Sequence, residues 1–99
     1  MIHELKTAPT YFIDIANGIK KFEVRKNDRP YAEGDFLALN EYDPKEEYTG
    51  RCMLVEVTYI LDDPNYCKEG YIVMGINPLS IISSYAKKPV NVYTRRDKA

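Results

Sequence analysis

The sequence has few of the residues that build metal centres and disulfide scaffolds. Its 99 residues include two cysteines, one histidine and no tryptophan. A four-ligand zinc site made from Cys and His is therefore excluded within one chain. We predict no metal and no cofactor, and we expect Cys52 and Cys67 to be free thiols.

Long hydrophobic runs are also missing. No segment approaches the ~18–20 apolar residues of a membrane-spanning helix, and residues 1–6 lack the apolar stretch of a signal peptide. The mean hydropathy is −0.46. We therefore expect a soluble, cytoplasmic protein that has no membrane partner. The sequence does not indicate an oligomeric state.

The chain has almost no net charge, −1 from 14 basic and 15 acidic residues. The chain is therefore not a strongly basic nucleic-acid-binding protein, and attraction to phosphate would need a local cluster of basic residues. Residues 19–29 provide one, with five bases against two acids, whereas residues 41–47 hold four acids against one base. A second basic group lies near the C-terminus and comprises Lys87, Lys88, Arg95, Arg96 and Lys98.

Length and hydrophobic periodicity predict one small domain. After a weak strand over residues 2–6, a short helix is predicted over residues 8–17. Thr7 is its expected cap, Pro9 lies in its first turn, and Gly18 ends it. The apolar residues at helical spacing are Tyr11, Phe12, Ile15 and Ile19.

Four further strands are predicted from alternation and turn signals, over residues 20–26, 36–42, 51–61 and 71–76. In the first of them, Phe22 and Val24 are assigned to the core. The opposite face then holds Lys21, Glu23 and Arg25. In the longest strand one face is assigned to Met53, Val55, Val57, Tyr59 and Leu61.

After residue 27 the loops are too short for crossover helices, so consecutive strands are expected to pair antiparallel. The predicted fold class is α+β: a small curled, antiparallel or mixed β-barrel of about five strands with one or two helices at its side. The expected domain spans residues 1–78. Residues 79–99 are predicted to form a C-terminal extension that is partly flexible.

Residues 18–29 are the segment most suited to binding chemistry. If Lys21, Glu23 and Arg25 share a face, adjacent side chains start ~6–7 Å apart along the strand. A carboxylate flanked by cations is suited to a planar polar ligand such as a nucleobase, or to a phosphate. The alternative is an ordinary charged face in solvent.

The spacing Gly18-x-Lys20-x-x-Glu23-x-Arg25 is similar to the GxKxxExR signature of ASCH domains, which are relatives of PUA RNA-binding domains. Further segments resemble the DUF3850-type family of bacterial and phage proteins grouped with ASCH. The resemblance covers residues 3–76, through the segments HELK (3–6), FEVRKNDR (22–29), YTGR (48–51), VTYIL (57–61) and GYIVM (70–74).

This resemblance implies a PUA-like barrel with a cleft in which Lys20, Glu23 and Arg25 meet a nucleic-acid component. The leading hypothesis is therefore a module that binds RNA or a nucleotide. Its expected binding residues are Lys20, Lys21, Glu23, Arg25, Lys26 and Arg29.

Two alternatives remain open. One enzyme branch of ASCH hydrolyses the acetyl amide of N4-acetylcytidine, with a Lys at the position of Lys20 and a Thr at the position of Glu23. In a nucleoside amidohydrolase of this kind, Lys20 and Glu23 would be catalytic, although Glu23 departs from the pattern. The second alternative is a protein-interaction module of phage origin.

Tyrosine is abundant, with nine residues. Exposed aromatic rings can stack on single-stranded bases. Tyr31, Tyr42, Tyr48 and Tyr66 are the candidates because they lie in or near predicted loops. The single histidine, His3, is expected at the surface of the first strand.

Overall fold

The structure, a computed structural model, describes residues 1–83 and residue 89. This part of the chain contains one helix and five strands, which confirms the predicted α+β class. The elements are β1 (Ile2–Thr7), α1 (Pro9–Ala16), β2 (Phe22–Lys26), β3 (Phe36–Asp43), β4 (Glu47–Leu61) and β5 (Tyr71–Ser83).

The five strands form one curled, mixed sheet in the order β1-β3-β4-β5-β2. β1 runs parallel to β3, and the other neighbouring pairs are antiparallel. The two edge strands approach each other, since Nη2 of Arg25 in β2 donates to the Lys6 carbonyl (2.9 Å) and the Thr7 hydroxyl (3.2 Å) in β1. The sheet is therefore a half-barrel, and the gap between β1 and β2 is called the seam below.

The expectation that all consecutive strands pair is wrong for β2 and β3. Both sides of β3 are occupied, by β1 and by β4. β2 therefore pairs with β5 at the opposite edge. The two flanks of the seam thus come from strands that are close in sequence but lie at opposite ends of the strand order.

Helix α1 packs on the inner face of the sheet through Phe12 and Ile15, both 1% exposed. The predicted helix, residues 8–17, was longer than the observed one by a single residue at each end. Gly18 ends the helix in the left-handed region, with φ at 74°, as expected of a glycine there. The predicted cap is wrong: Ala8 is the N-cap residue, because the Thr7 hydroxyl is buried and accepts the hydrogen bond from Arg25.

The core lies between α1 and the concave face of the sheet. In β4 the predicted alternation holds for Met53, Val55 and Val57, which are at most 1% exposed. It fails at Tyr59, which is 61% exposed, because the register with β5 shifts between Val57 and Tyr59. The buried cluster comprises Leu5, Phe12, Ile15, Leu37, Leu39, Met53, Val55, Val57, Ile72, Met74 and Ile76.

β5 is longer than predicted and continues to Ser83, where it pairs with Arg51 of β4. The predicted domain boundary at residue 78 therefore falls inside a strand. Apart from Pro89, the rest of the predicted extension, including the C-terminal basic group, lies outside the described residues. Across the part of the chain that is described, no helix has the length and apolar character needed to cross a membrane.

Candidate functional site

The strand that holds the predicted site has its two faces reversed relative to the prediction. Phe22 and Val24 are 47% and 52% exposed, whereas Glu23 is 3% exposed. The inner face of β2 borders the seam at the margin of the apolar core, and cations there satisfy the Glu23 carboxylate. Charges are buried at tolerable cost when they are paired and hydrogen-bonded in this way.

Lys20, Glu23 and Arg25 form a hydrogen-bonded triad. Lys20 Nζ donates to Glu23 Oε2 at 2.7 Å and also to the Phe22 carbonyl. Arg25 Nε and Nη2 donate to Glu23 Oε1 at 3.0 and 2.8 Å. The carboxylate thus fixes the position of both cations. Arg25 binds Glu23 through Nε and Nη2 and not through Nη1.

The turn after α1 places Lys20 beside the strand. The backbone N–H groups of Ile19 and Lys20 both donate to the Asp14 carbonyl, at 2.9 and 3.1 Å. Lys21, which was expected to share a face with Glu23, is exposed. Its carbonyl accepts from the N–H of Ile76 at 3.1 Å and so ties this turn to β5.

The triad lines a cavity of about 470 Å³, called the triad cavity. Aromatic rings flank Lys20 there, with its Nζ 5.2 Å from the ring centroid of Tyr11 and 4.8 Å from that of Phe22. Tyr11 is 55% exposed and was not among the predicted stacking residues, because helical spacing grouped it with buried positions. The cavity combines two fixed cations with apolar ring surface.

A second cavity of about 670 Å³, called the seam cavity, adjoins the first. Lys6, Val24 and Arg25 line both. Lys26 and Arg29 also line the seam cavity, so the structure brings these two predicted residues next to Arg25. Lys21 lines neither cavity.

Two of the four predicted stacking tyrosines, Tyr31 and Tyr48, line the seam cavity, as does Tyr71, which the sequence did not single out. Tyr42 instead packs edge-on against Tyr48, with ring centroids 5.0 Å apart. Burial raises the pKa of Tyr31, although Arg29 and Arg25 oppose the shift. Tyr66 is 80% exposed and lines neither cavity.

A buried cluster behind Tyr31 was missed. His3 is 3% exposed, so the expectation of a surface histidine is wrong. Its Nε2 lies 2.8 Å from Asp35 Oδ2, and its ring centroid is 4.6 Å from that of Tyr31. The alternation that places Leu5 inward also places His3 inward, and this was the available signal. The cluster supports one wall of the seam cavity.

Burial of Asp35 raises its pKa, but hydrogen bonds from His3, the N-terminal amine and the Ala32 N–H outweigh that effect, so the pKa is lowered. The cluster is a carboxylate held by donors rather than a metal centre. Within residues 1–83 and 89, no group of three or more His, Cys, Asp or Glu side chains is arranged to hold a metal ion.

Fold and site together define a class: a small α+β domain whose curled sheet presents a buried ion triad and two adjoining cavities along its seam. The chain belongs to the DUF3850 family, a domain of unknown function, whose family model matches residues 2–76. This confirms the predicted family, and the matched range contains the triad.

A relative in Escherichia phage P2 is the "Uncharacterized 12.9 kDa protein in GpA 3'region". It is 36% identical over 73 residues, which cover 74% of this chain and 65% of the phage protein. The chain therefore matches less than two thirds of that relative's length.

Proposed function

We propose that this domain is an ASCH/PUA-like module that binds single-stranded RNA or a nucleotide in the triad cavity. The observation that carries the proposal is Glu23, a carboxylate that is 3% exposed yet lines a cavity together with the two cations it holds. A buried acid in this position organises donors for a ligand.

Lys20 and Arg25 are the anion-binding groups in this proposal. Because Glu23 already fixes both side chains, a ligand loses little further side-chain entropy when it binds them. The triad has one more positive than negative charge, and Lys6 adds another at the cavity wall. A phosphate or another polar anion is the complementary ligand.

Tyr11 and Phe22 supply the apolar part of the site. Their half-exposed rings flank Lys20, and bases stack on such rings with little sequence preference. The cavity volume of about 470 Å³ lies within the roughly 300–1,000 Å³ typical of small-molecule sites. A nucleotide unit matches both the size and the chemistry.

The test is fluorescence anisotropy with a labelled RNA of about eight nucleotides, at about 50 and about 200 mM salt. We expect Lys20→Met and Arg25→Met each to raise Kd at least about tenfold, since a hydrogen bond to a charged group contributes about 1.5–3 kcal/mol. Each substitution should also reduce, by about one, the magnitude of the slope of log K against the logarithm of the salt concentration.

The matched control is Lys45→Met, which removes a cation from the exposed turn between β3 and β4. It should leave Kd unchanged, and circular dichroism should show that all variants are folded. Absence of RNA binding by the wild type at low salt would overturn the proposal. Equal effects of Lys45→Met and Lys20→Met would overturn it as well.

The surroundings of Lys20 support binding rather than hydrolysis. Its ammonium donates to Glu23 and to the Phe22 carbonyl, and a general base must first lose such a proton. Glu23 also occupies the position at which the N4-acetylcytidine hydrolases have Thr. Release of cytidine from N4-acetylcytidine by the wild type, lost in Lys20→Met, would instead favour the hydrolase alternative.

A further inference from the structure

Glu4 presents an unsatisfied acceptor in the seam cavity. It lies in β1, lines this cavity, and its Oε2 atom is buried without a hydrogen-bond partner among the described residues. Buried polar atoms in native proteins almost always have a partner, because desolvation without a hydrogen bond is costly. A donor that enters the cavity, from a ligand or from water, can therefore satisfy this carboxylate oxygen.

The seam cavity also holds cations, with Lys6 on the same strand as Glu4 and with Lys26 and Arg29 on or just after β2. Lys26 and Arg29 are exposed and form no salt bridge within the described part of the chain. Lys6 Nζ lies 4.4 Å from the ring centroid of Tyr42, next to Tyr48. The cavity thus combines an acceptor without a partner, a second carboxylate from Asp28, cations that form no salt bridge within the described residues, and aromatic side chains.

The thiol of Cys52, which senses the charge of Glu4, is not an effective hydrogen-bond donor to it. Cys52 is fully buried, and burial together with the charge of Glu4 raises the pKa of its thiol to about 11. Its neutral S–H is a weak donor at best. Cys52 therefore does not satisfy the Oε2 atom of Glu4, which has no partner among the described residues.

The two cavities are joined at the seam. Arg25 and Val24 from β2 and Lys6 from β1 line both of them. A phosphate held by Lys6 and Arg25 would therefore lie between a nucleoside in the triad cavity and a second nucleoside in the seam cavity. The arrangement matches two successive nucleotides of one strand.

We infer that the seam cavity takes a nucleobase bearing an exocyclic amine, which donates to Oε2 of Glu4; this rests on the proposed RNA-binding function. Glu23 is less suited to the same role, because its Oε1 already accepts two hydrogen bonds from Arg25 and its Oε2 accepts one from Lys20. The triad cavity holds the backbone and one base, and Glu4 distinguishes the next base.

Cytosine and uracil form the sharpest test pair. They have nearly the same shape, but position 4 is an amine donor in cytosine and a carbonyl acceptor in uracil. A carboxylate accepts from the amine and repels the carbonyl oxygen. Wild-type protein should bind oligo(C) at least about tenfold tighter than oligo(U) of equal length, as one good base contact discriminates by about 1–3 kcal/mol.

Two changes test the contact from both sides. Glu4→Gln should abolish the preference for oligo(C), because an amide can rotate to offer either a donor or an acceptor. Glu46→Gln, in an exposed turn, is the matched control and should retain the preference. On wild-type protein, an oligomer of N4,N4-dimethylcytidine should bind no tighter than oligo(U), and this arm does not depend on how a variant folds.

The outcomes separate this inference from the proposed function. Equal binding of oligo(C) and oligo(U), or a preference that survives dimethylation, would overturn the role of Glu4. If Lys20→Met still weakens the binding of both oligomers, the RNA-binding proposal stands without the role of Glu4. If the wild type binds neither oligomer, both proposals fail.

Discussion

Two glutamates are almost completely buried, and their surroundings give them different roles. Glu23 and Glu41 are each 3% exposed and each bonded to an arginine. Arg51 Nε and Nη2 both donate to Glu41 at 2.8 Å, and its guanidinium covers the ring of Phe12 at 5.0 Å. Arg51 lines neither cavity. The Glu41 pair therefore stabilises the fold, whereas the Glu23 triad is available to a ligand.

Glu41→Gln tests the structural pair at two pH values. Burial raises the pKa of Glu41, but hydrogen bonds from Arg51 and Thr49 outweigh that effect and lower it. A folded-state pKa below the unfolded value gives stability that is present above the unfolded pKa of about 4.3 and lost as pH falls through the folded pKa. Urea unfolding at pH 7 should show that Glu41→Gln lowers the free energy of unfolding by about 1–2 kcal/mol. This figure is kept low because the Arg51 side chain is 45% exposed and solvent screens its charge.

Between pH 7 and about pH 3, Glu41→Gln should lose less stability than the wild type, because its amide does not titrate. Asp35, whose pKa is also lowered, retains part of the acid sensitivity in both proteins. Glu46→Gln is the control and should change stability by less than about 0.5 kcal/mol. If Glu41→Gln and the wild type lost equal stability between pH 7 and about pH 3, the stabilising role assigned to the Glu41–Arg51 pair would be contradicted.

At this scale the sequence identified the segment that forms the triad but not the direction of its side chains. The spacing of Lys20, Glu23 and Arg25 was sufficient to predict that they act together. Placing Glu23 inward required Arg25 to reach across to β1, a contact between residues 18 or 19 positions apart. His3 was missed for the same reason, since its partner Asp35 is 32 positions away. Such pairs are set by strand order.

At the scale of elements, β2 is an edge strand with a polar inner face and an apolar outer face. Val24 is 52% exposed and pairs with Val73 of β5, while Phe22 pairs with Gly75. The general rule that apolar positions of a strand face the core fails here because the inner positions hold Glu23 and Arg25, which pair with each other at the seam. β2 therefore contributes the Glu23–Arg25 pair rather than core volume.

The same substitution at two valines measures this difference. Val24→Thr should change the free energy of unfolding by less than about 0.5 kcal/mol, as expected at an exposed position. Val55→Thr, at a position that is 0% exposed, should cost about 1–3 kcal/mol because it buries a hydroxyl. Urea denaturation at pH 7 gives both values. A larger cost for Val24→Thr than for Val55→Thr would show that β2 faces the core as first predicted.

Most elements could be predicted because their signals are local. Pro9 and Gly18 delimit α1, and alternation identified the strands. The extension of β5 to Ser83 could not be predicted, since Asn77 and Pro78 interrupt its apolar pattern and its pairing depends on β4. The register shift near Tyr59 was equally hidden, because it is a property of two strands together.

For the molecule as a whole, the decisive feature is that Arg25 holds the two edges of the sheet together. Unpaired edge strands are the weakest part of a sheet and a risk for unwanted pairing. Here one guanidinium donates to the carbonyl of Lys6 and the hydroxyl of Thr7 while it also binds Glu23. The triad and the closure of the half-barrel therefore depend on the same side chain.

Arg25→Met should open the seam without unfolding the centre of the sheet. Hydrogen exchange should become faster in β1, in β2 and in the amides that bond to them, and remain unchanged where β3 pairs with β4, because local opening reflects local contacts. Thr7→Val removes one of the bonds across the seam but leaves Glu23 paired, so its effect should be smaller and confined to β1 and β2. Uniformly faster exchange in both variants would show global destabilisation instead.

The parallel pairing of β1 with β3 has a consequence for biosynthesis. Both edge strands are translated before any of their partners: β1 waits for β3, and β2 waits until β5 is complete. β2 therefore stays unpaired while the β3–β4–β5 meander forms from nearby residues, whereas β1 can pair as soon as β3 is made. We expect ribosome-bound chains to acquire their central hairpins first and to dock the site-bearing strand last.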